Sequence, residues 1–241
     1  MSVPGNGLAS ETAVRQYPPM QEPSPFRGWP PSALAWFRGI EAHNTREWFQ
    51  ANRSTYDAAV RQPFDAFLAE VADEFGEGKL FRPHRDARFS TDKRPYKTAA
   101  AAIVHHPAGG GGYYVQLGRN GLYLGGGLYA PARDQLARAR AAVADGCAGA
   151  KLEAVLATLA RRDLRIMQEG ALRTAPRGYP AEHPRIGLLR LQHYAVARAE
   201  PPRAWLHTRK AKERVVSAWR ALEPLLEWLG THVGPSELPG R

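Results

Sequence analysis

The chain has 241 residues, 44% of them hydrophobic, and a formal net charge of +10, enough material for one substantial core and more naturally one large domain than two small ones. A single cysteine, Cys147, excludes an intramolecular disulfide framework and any multi-cysteine zinc or iron site. No run approaches the roughly 18 apolar residues of a membrane span, and the first twenty residues lack the apolar core of a secretory signal, so a soluble cytoplasmic protein is expected. The cationic excess suits a nucleic acid, an anionic surface or an acidic small molecule. Because the cations are scattered along the whole chain, charge alone does not choose among them.

Residues 1–25 mix Pro, Gly, Ser and Gln without clustered apolar residues and read as a flexible tail, followed by a single domain over 26–233 and a second flexible tail over 234–241. Ser32 is placed to cap a short helix carrying Leu34, Trp36, Phe37 and Ile40. Asn44, with Glu47 three residues on, has the form of a capping box. The helix it starts repeats Trp48, Asn52 and Tyr56 every four residues. Pro63 opens a second helix with Phe64, Phe67, Leu68 and Val71 at helical spacing, and Gly76 ends it. Apolar or alternating runs at 96–105, 113–117 and 121–126, separated by turn material at 107–112 and 118–120, predict a meander of antiparallel strands. Helices follow at 132–143 and 151–160, short strands at 165–168 and 190–197, and a long last helix at 208–232 that Pro224 should kink. There is no internal repeat. The expected class is α+β, with a central, mainly antiparallel sheet packed with helices.

The densest chemistry lies at 85–98, RDARFSTDKRPYKT. On a strand over 84–89 and beyond, Asp86, Arg88 and Ser90 share one face and Arg85, Ala87 and Phe89 the other. Asp92, Lys93, Arg94 and Pro95 then make a tight turn, and residues 96–98 return on a second strand. From 82 to 97 six cations (Arg82, Arg85, Arg88, Lys93, Arg94, Lys97) face two acids (Asp86, Asp92). One reading is an anion pocket, in which Arg88 offers a fork to phosphate or carboxylate, Arg85, Lys93 and Lys97 add charge, Ser90 a hydroxyl, and Tyr96 a donor or a stacking face. The other is a brace, in which Asp86 and Arg88, or Asp92 and Arg94, are ion pairs that hold a hairpin in register.

Two further segments bear on that choice. Gly125, Gly126 and Gly127 can bring backbone N–H groups close to a phosphate or simply permit a bulge or close packing of Tyr129 and the helix that follows. They form neither a Walker loop nor a dinucleotide fingerprint. The irregular loop Arg173, Thr174, Ala175, Pro176, Arg177, Gly178, Tyr179 can complete a cationic pocket, with Tyr179 as one wall, or serve as a fixed crossover. The histidines lack ligand spacing, so no metal and no cofactor is expected, and Ser90 has no nucleophile elbow around it. The cations Arg203, Arg209, Lys210, Lys212 and Arg214 read as a solvated helix face.

The motif at 85–98 resembles that of the conserved uncharacterised family called domain of unknown function 2461. HNTREWFQANRSTY (43–56) resembles the family's helix start, and YYVQLGRNGLYLGGGLYAP (113–131) and LRTAPRGYPAEHP (172–184) resemble its later blocks, in order, from about residue 31 to 233. His43 stands where a second Asn is usual, and Arg53 where Lys is common. The resemblance implies domain boundaries and an α+β fold, and it carries no mechanism. The residues themselves point to a phosphate- or carboxylate-bearing small molecule as partner, in a binding protein or in an enzyme where Asp86 positions or exchanges a proton. A nucleic-acid-binding module is the disfavoured alternative, because the charge is dispersed. A structural or interaction protein with a braced hairpin is the third. The oligomeric state is left open.

Overall fold

A computed structural model describes residues 25–86 and 92–238; of the tail expected over 1–25, all but the last residue lie outside them. Helix α1 (Pro31–Ala42) starts on Pro31, whose fixed φ and missing N–H suit a first turn, so Ser32 falls inside the helix and caps nothing. Helix α2 (Arg46–Ala51) is capped by Thr45, whose hydroxyl accepts from the Trp48 N–H at 3.2 Å. After α3 (Arg53–Tyr56), a π-helical turn (Asp57–Arg61) leads without a break into α4 (Gln62–Phe75). The Gln62 N–H reaches back five residues to the Asp57 carbonyl, and this widened turn lets Pro63 sit in a continuing helix where a fresh start was expected. Gly76, at φ +94°, ends α4 as predicted.

The sheet has six strands, β1 (Gly78–Leu80), β2 (Ala99–His105), β3 (Gly112–Gly118), β4 (Gly121–Leu128), β5 (Arg165–Ile166) and β6 (Tyr194–Glu200), in the order β1-β2-β3-β4-β6-β5. Every neighbouring pair is antiparallel. The meander is the expected one. The last substantial strand begins four residues later than predicted, because Ile186–Leu189 forms a short helix (α7, after α5 at Arg133–Ala144 and α6 at Gly146–Ala160) whose C-cap is Arg190. After a 3₁₀ turn (Ala204–His207), α8 (Lys210–His232) runs through Pro224. The result is a single α+β domain.

Strand alternation divides the sheet into two unlike faces. Ala102, Val104, Tyr113, Val115, Leu117, Leu122 and Leu124 are buried. Against them lie α8, through Val215, Trp219, Leu222 and Leu226, and the aromatic cluster of the N-terminal helices. Phe67, Phe75, Tyr113 and Trp219 meet edge-to-face or tilted at 5.0–5.6 Å, and the Trp219 indole N–H donates to the Tyr114 carbonyl at 3.2 Å. The opposite face carries Ala99, Ala101, Ile103, Tyr114, Gln116, Tyr123, Gly125, Ala195 and Ala197, and lines an open cleft.

The glycine run belongs to β4 itself. A Cβ at Gly125 would lie 2.4 Å from the Val196 carbonyl oxygen, and one at Gly127 2.4 Å from that of Tyr194, so these glycines let β4 and β6 approach closely. The sequence predicts a bulge or close packing of Tyr129 and the helix after it; the close approach found is between two strands instead, and Tyr129 is exposed. At the far end, residues expected in the C-terminal tail are tied to α5: Gln135 donates to the Gly234 carbonyl at 2.9 Å, and the Glu237 N–H donates to Asp134 at 2.8 Å.

Gly127 also holds φ +120°, a conformation that L side chains rarely adopt. Gly127→Ala is expected to lower stability by about 3 kcal/mol in urea denaturation, from strain and overpacking together.

Candidate functional site

Among the described residues of the strands expected at 84–89 and 96–98, the pairing is one isolated bridge, His84 to Tyr96. Pro83 and Pro95 each lack a donor, which leaves the pairing to two bonds: Arg85 N–H to the Pro95 carbonyl and Lys97 N–H to the Pro83 carbonyl, both 2.8 Å. Residues 87–91, and with them Arg88 and Ser90, lie outside the described residues.

What fixes this segment is Asn44. Its side-chain amide donates to the Tyr96 carbonyl at 3.1 Å, while its side-chain oxygen accepts from the Tyr96 N–H at 3.0 Å. Asn44 is therefore not a helix cap but a side chain standing in for a neighbouring strand. The Tyr96 ring, only 2% exposed, stacks flat on Phe49 with centroids 4.2 Å apart. Its face is turned to the core.

Asp92 gathers two of the motif's cations. It meets Arg94 through several contacts, the shortest 2.7 Å, and Arg85 at 3.2 Å. Hydrogen bonds from Arg94 hold its carboxyl well below the usual carboxylate range. The Asp92–Arg94 ion pair foreseen from the sequence is present, made within one turn and not between two strands. Lys97 is different. It is half-buried, its Nζ lies 5.2 Å from the Phe81 ring centre, and no carboxylate among the described residues pairs with it. Burial, and then the charges of Arg82 and Arg85, push its ammonium below the ordinary lysine value.

Lys97 and Arg85 stand at one end of the cleft on the open sheet face, a cavity of about 960 Å³. They are the charged residues of its described lining, which contains no carboxylate. The floor is small or aromatic. The Tyr114 hydroxyl donates to the Gln116 side-chain oxygen at 2.7 Å, and Tyr114 and Tyr123 meet edge-to-face at 6.4 Å. Burial, with smaller contributions from Tyr123 and Tyr129, pushes Tyr114 up to about 12. The exposed Tyr129 stacks on His193 at 4.5 Å.

At the cleft's other end His106 contacts Glu223 at 3.0 Å, and the Tyr113 hydroxyl donates to the second oxygen of that carboxylate. Burial works to raise Glu223, but these two hydrogen bonds outweigh it and leave the carboxyl below its usual range.

Of the residues picked from sequence, Arg85, Lys97 and the glycine-rich strand converge on this cleft. Asp86 and Lys93 are exposed and are not among its lining residues. Arg173 and Arg177 are exposed and Tyr179 is half-buried; all three stand outside the cleft lining as well. Sequence reasoning passed over Tyr114, Gln116 and Tyr123, although period-two alternation in β3 and β4 places them on one face. It also missed the pairing of His106 with Glu223, two residues 117 positions apart. Among the described residues no group of three or more His, Cys, Asp or Glu is arranged to hold a metal ion, and no helix is long and apolar enough to cross a membrane.

The family model described as conserved hypothetical protein (DUF2461) matches residues 32–228, and the chain belongs to that family. No curated protein and no solved structure matches the chain.

Removing the Asn44 side chain leaves the N–H and carbonyl of Tyr96 unpaired in a partly buried place. Asn44→Ala is expected to cost about 2–3 kcal/mol in denaturant unfolding, more than the roughly 1 kcal/mol of Thr45→Ala, which removes a true cap. Equal losses would return Asn44 to a capping role.

Proposed function

We propose that the protein binds an anionic small molecule along the open sheet face. The phosphate or carboxylate of the ligand is held at the Arg85 and Lys97 end, and its body lies over Tyr114, Gln116 and Tyr123. The observation that carries this reading is Lys97, a half-buried cation in a cleft whose described lining contains no acid. A cation withdrawn from water and crowded by two arginines lowers its free energy by meeting an anion, and the attraction is stronger in a partly desolvated cleft than in bulk water. Arg85 contributes less, because Asp92 already neutralises much of its charge. The tyrosines supply apolar area with hydroxyl donors, a lining suited to a planar or ring-bearing ligand body. The reading is one of binding, and no reacting group is assigned.

The test is thermal unfolding of the parent and of Lys97→Met in inorganic pyrophosphate and in citrate. The parent is expected to be stabilised, by roughly 3 kcal/mol at a hundredfold excess over Kd, and Lys97→Met to lose that response. In anion-free buffer the variant should be as stable as the parent or more so. A lysine whose folded pKa lies below its unfolded value opposes folding while both states are protonated, and the opposition fades as pH rises through the folded value and is gone above the unfolded one. Equal stabilisation of parent and variant by both anions would refute the reading.

A further inference from the structure

Strand β1 forms one edge of the sheet. From residue 78 to residue 85 its inward hydrogen bonds alternate: Phe81 N–H to Ala101 at 2.9 Å, the Pro83 carbonyl from Lys97, and Arg85 N–H to Pro95. In an antiparallel pair the peptide groups of the intervening residues turn the other way. Those of Gly78, Leu80, Arg82 and His84 therefore point away from β2. They face a second cavity, of about 730 Å³, whose opposite wall is the helical segment carrying Arg53, Tyr56, Asp57 and Arg61. A strand edge facing a helix across an open groove has the geometry into which an extended peptide is added as one more strand. Residues 78–84 all line it, a run of about 23 Å at strand spacing.

The charge of the groove selects the peptide. Asp57 and Asp65 are taken up by Arg53 at 3.5 Å and Arg61 at 3.6 Å, one helical turn apart on their own segment. Lys79, Arg82 and Lys97 also line the groove, and no acid among the described residues pairs with them. Phe49 and Tyr56 add an apolar wall.

We propose that this groove takes an acidic peptide segment of a partner protein, in extended conformation, as a seventh strand beside β1. The proposal stands apart from small-molecule binding in the cleft. Lys97 lines both cavities, so the test uses Arg82, which lines the groove and not the cleft.

The probe is a fluorescein-labelled peptide of seven alternating glutamates and valines, titrated by anisotropy at low salt against the parent, Arg82→Ala and Arg82→Pro. Both variants lose the guanidinium. Only proline also removes the outward N–H, and it leaves the inward ladder intact because Arg82 donates nothing to it. Saturable binding to the parent is expected, with Arg82→Pro weaker than Arg82→Ala by roughly fivefold, the worth of one hydrogen bond. In the parent the peptide should slow amide hydrogen exchange at Leu80 and Arg82, a readout that remains if Arg82→Pro does not fold. The proposal fails if the parent shows no saturable binding, if binding leaves exchange at Leu80 and Arg82 unchanged, or if the two folded variants bind alike.

Discussion

The clamp of Asn44 on both peptide groups of Tyr96 is the interaction on which the placement of the site depends. It joins the turn between α1 and α2 to the lead-in of β2, and the flat stack of Tyr96 on Phe49 closes the same joint from the other side. With Tyr96 fixed, Lys97 must leave the chain on the opposite side, and its own N–H is held by Pro83. That is how a lysine comes to stand between two cavities with no carboxylate among the described residues to hold it there. A side-chain amide suits this task because it presents a donor and an acceptor together, as a neighbouring strand would.

The electrostatics follow from how few acids the motif has. Asp92 binds Arg94 closely through several contacts and Arg85 through one, so its single carboxylate offsets part of the charge of both. Lys97 receives none of this compensation and instead feels Arg82 and Arg85. On the far side of the sheet, burial of the large aromatics against α8 and the N-terminal helices commits one face wholly to the core. The other face is left with alanines, glycines and tyrosines. Small residues there bring β4 and β6 close together and deepen the cleft without filling it. The cations of one segment therefore have unlike surroundings: Arg94 and Arg85 meet Asp92, while Lys97 meets the Phe81 ring and no carboxylate among the described residues.

Much of this was readable from sequence wherever a signal was local. The helical spacing of Phe64, Phe67, Leu68 and Val71, the meander, Gly76 as a stop and the Asp92–Arg94 pair all rest on neighbours within a few residues. The misreadings share a cause, which is distance along the chain. Asn44 looks like a cap because Asn is a good one, and nothing near it reveals a partner 52 residues away. The six cations at 82–97 overstate the free charge, because one carboxylate serves two of them. β1 is three residues long and carries no periodicity. The loop with Arg173, Arg177 and Tyr179 has a binding-loop composition, yet its position depends on a crossover that composition does not encode.

The most direct measurement is the titration of the Lys97 ammonium, followed by NMR on protein labelled at the lysine side-chain nitrogen and assigned with Lys97→Met. In the free protein its midpoint should lie below that of an exposed lysine, and on saturation with pyrophosphate it should move upward, because the anion stabilises the charged form. A midpoint at the ordinary lysine value in the free protein, or one that pyrophosphate does not move, would contradict the account.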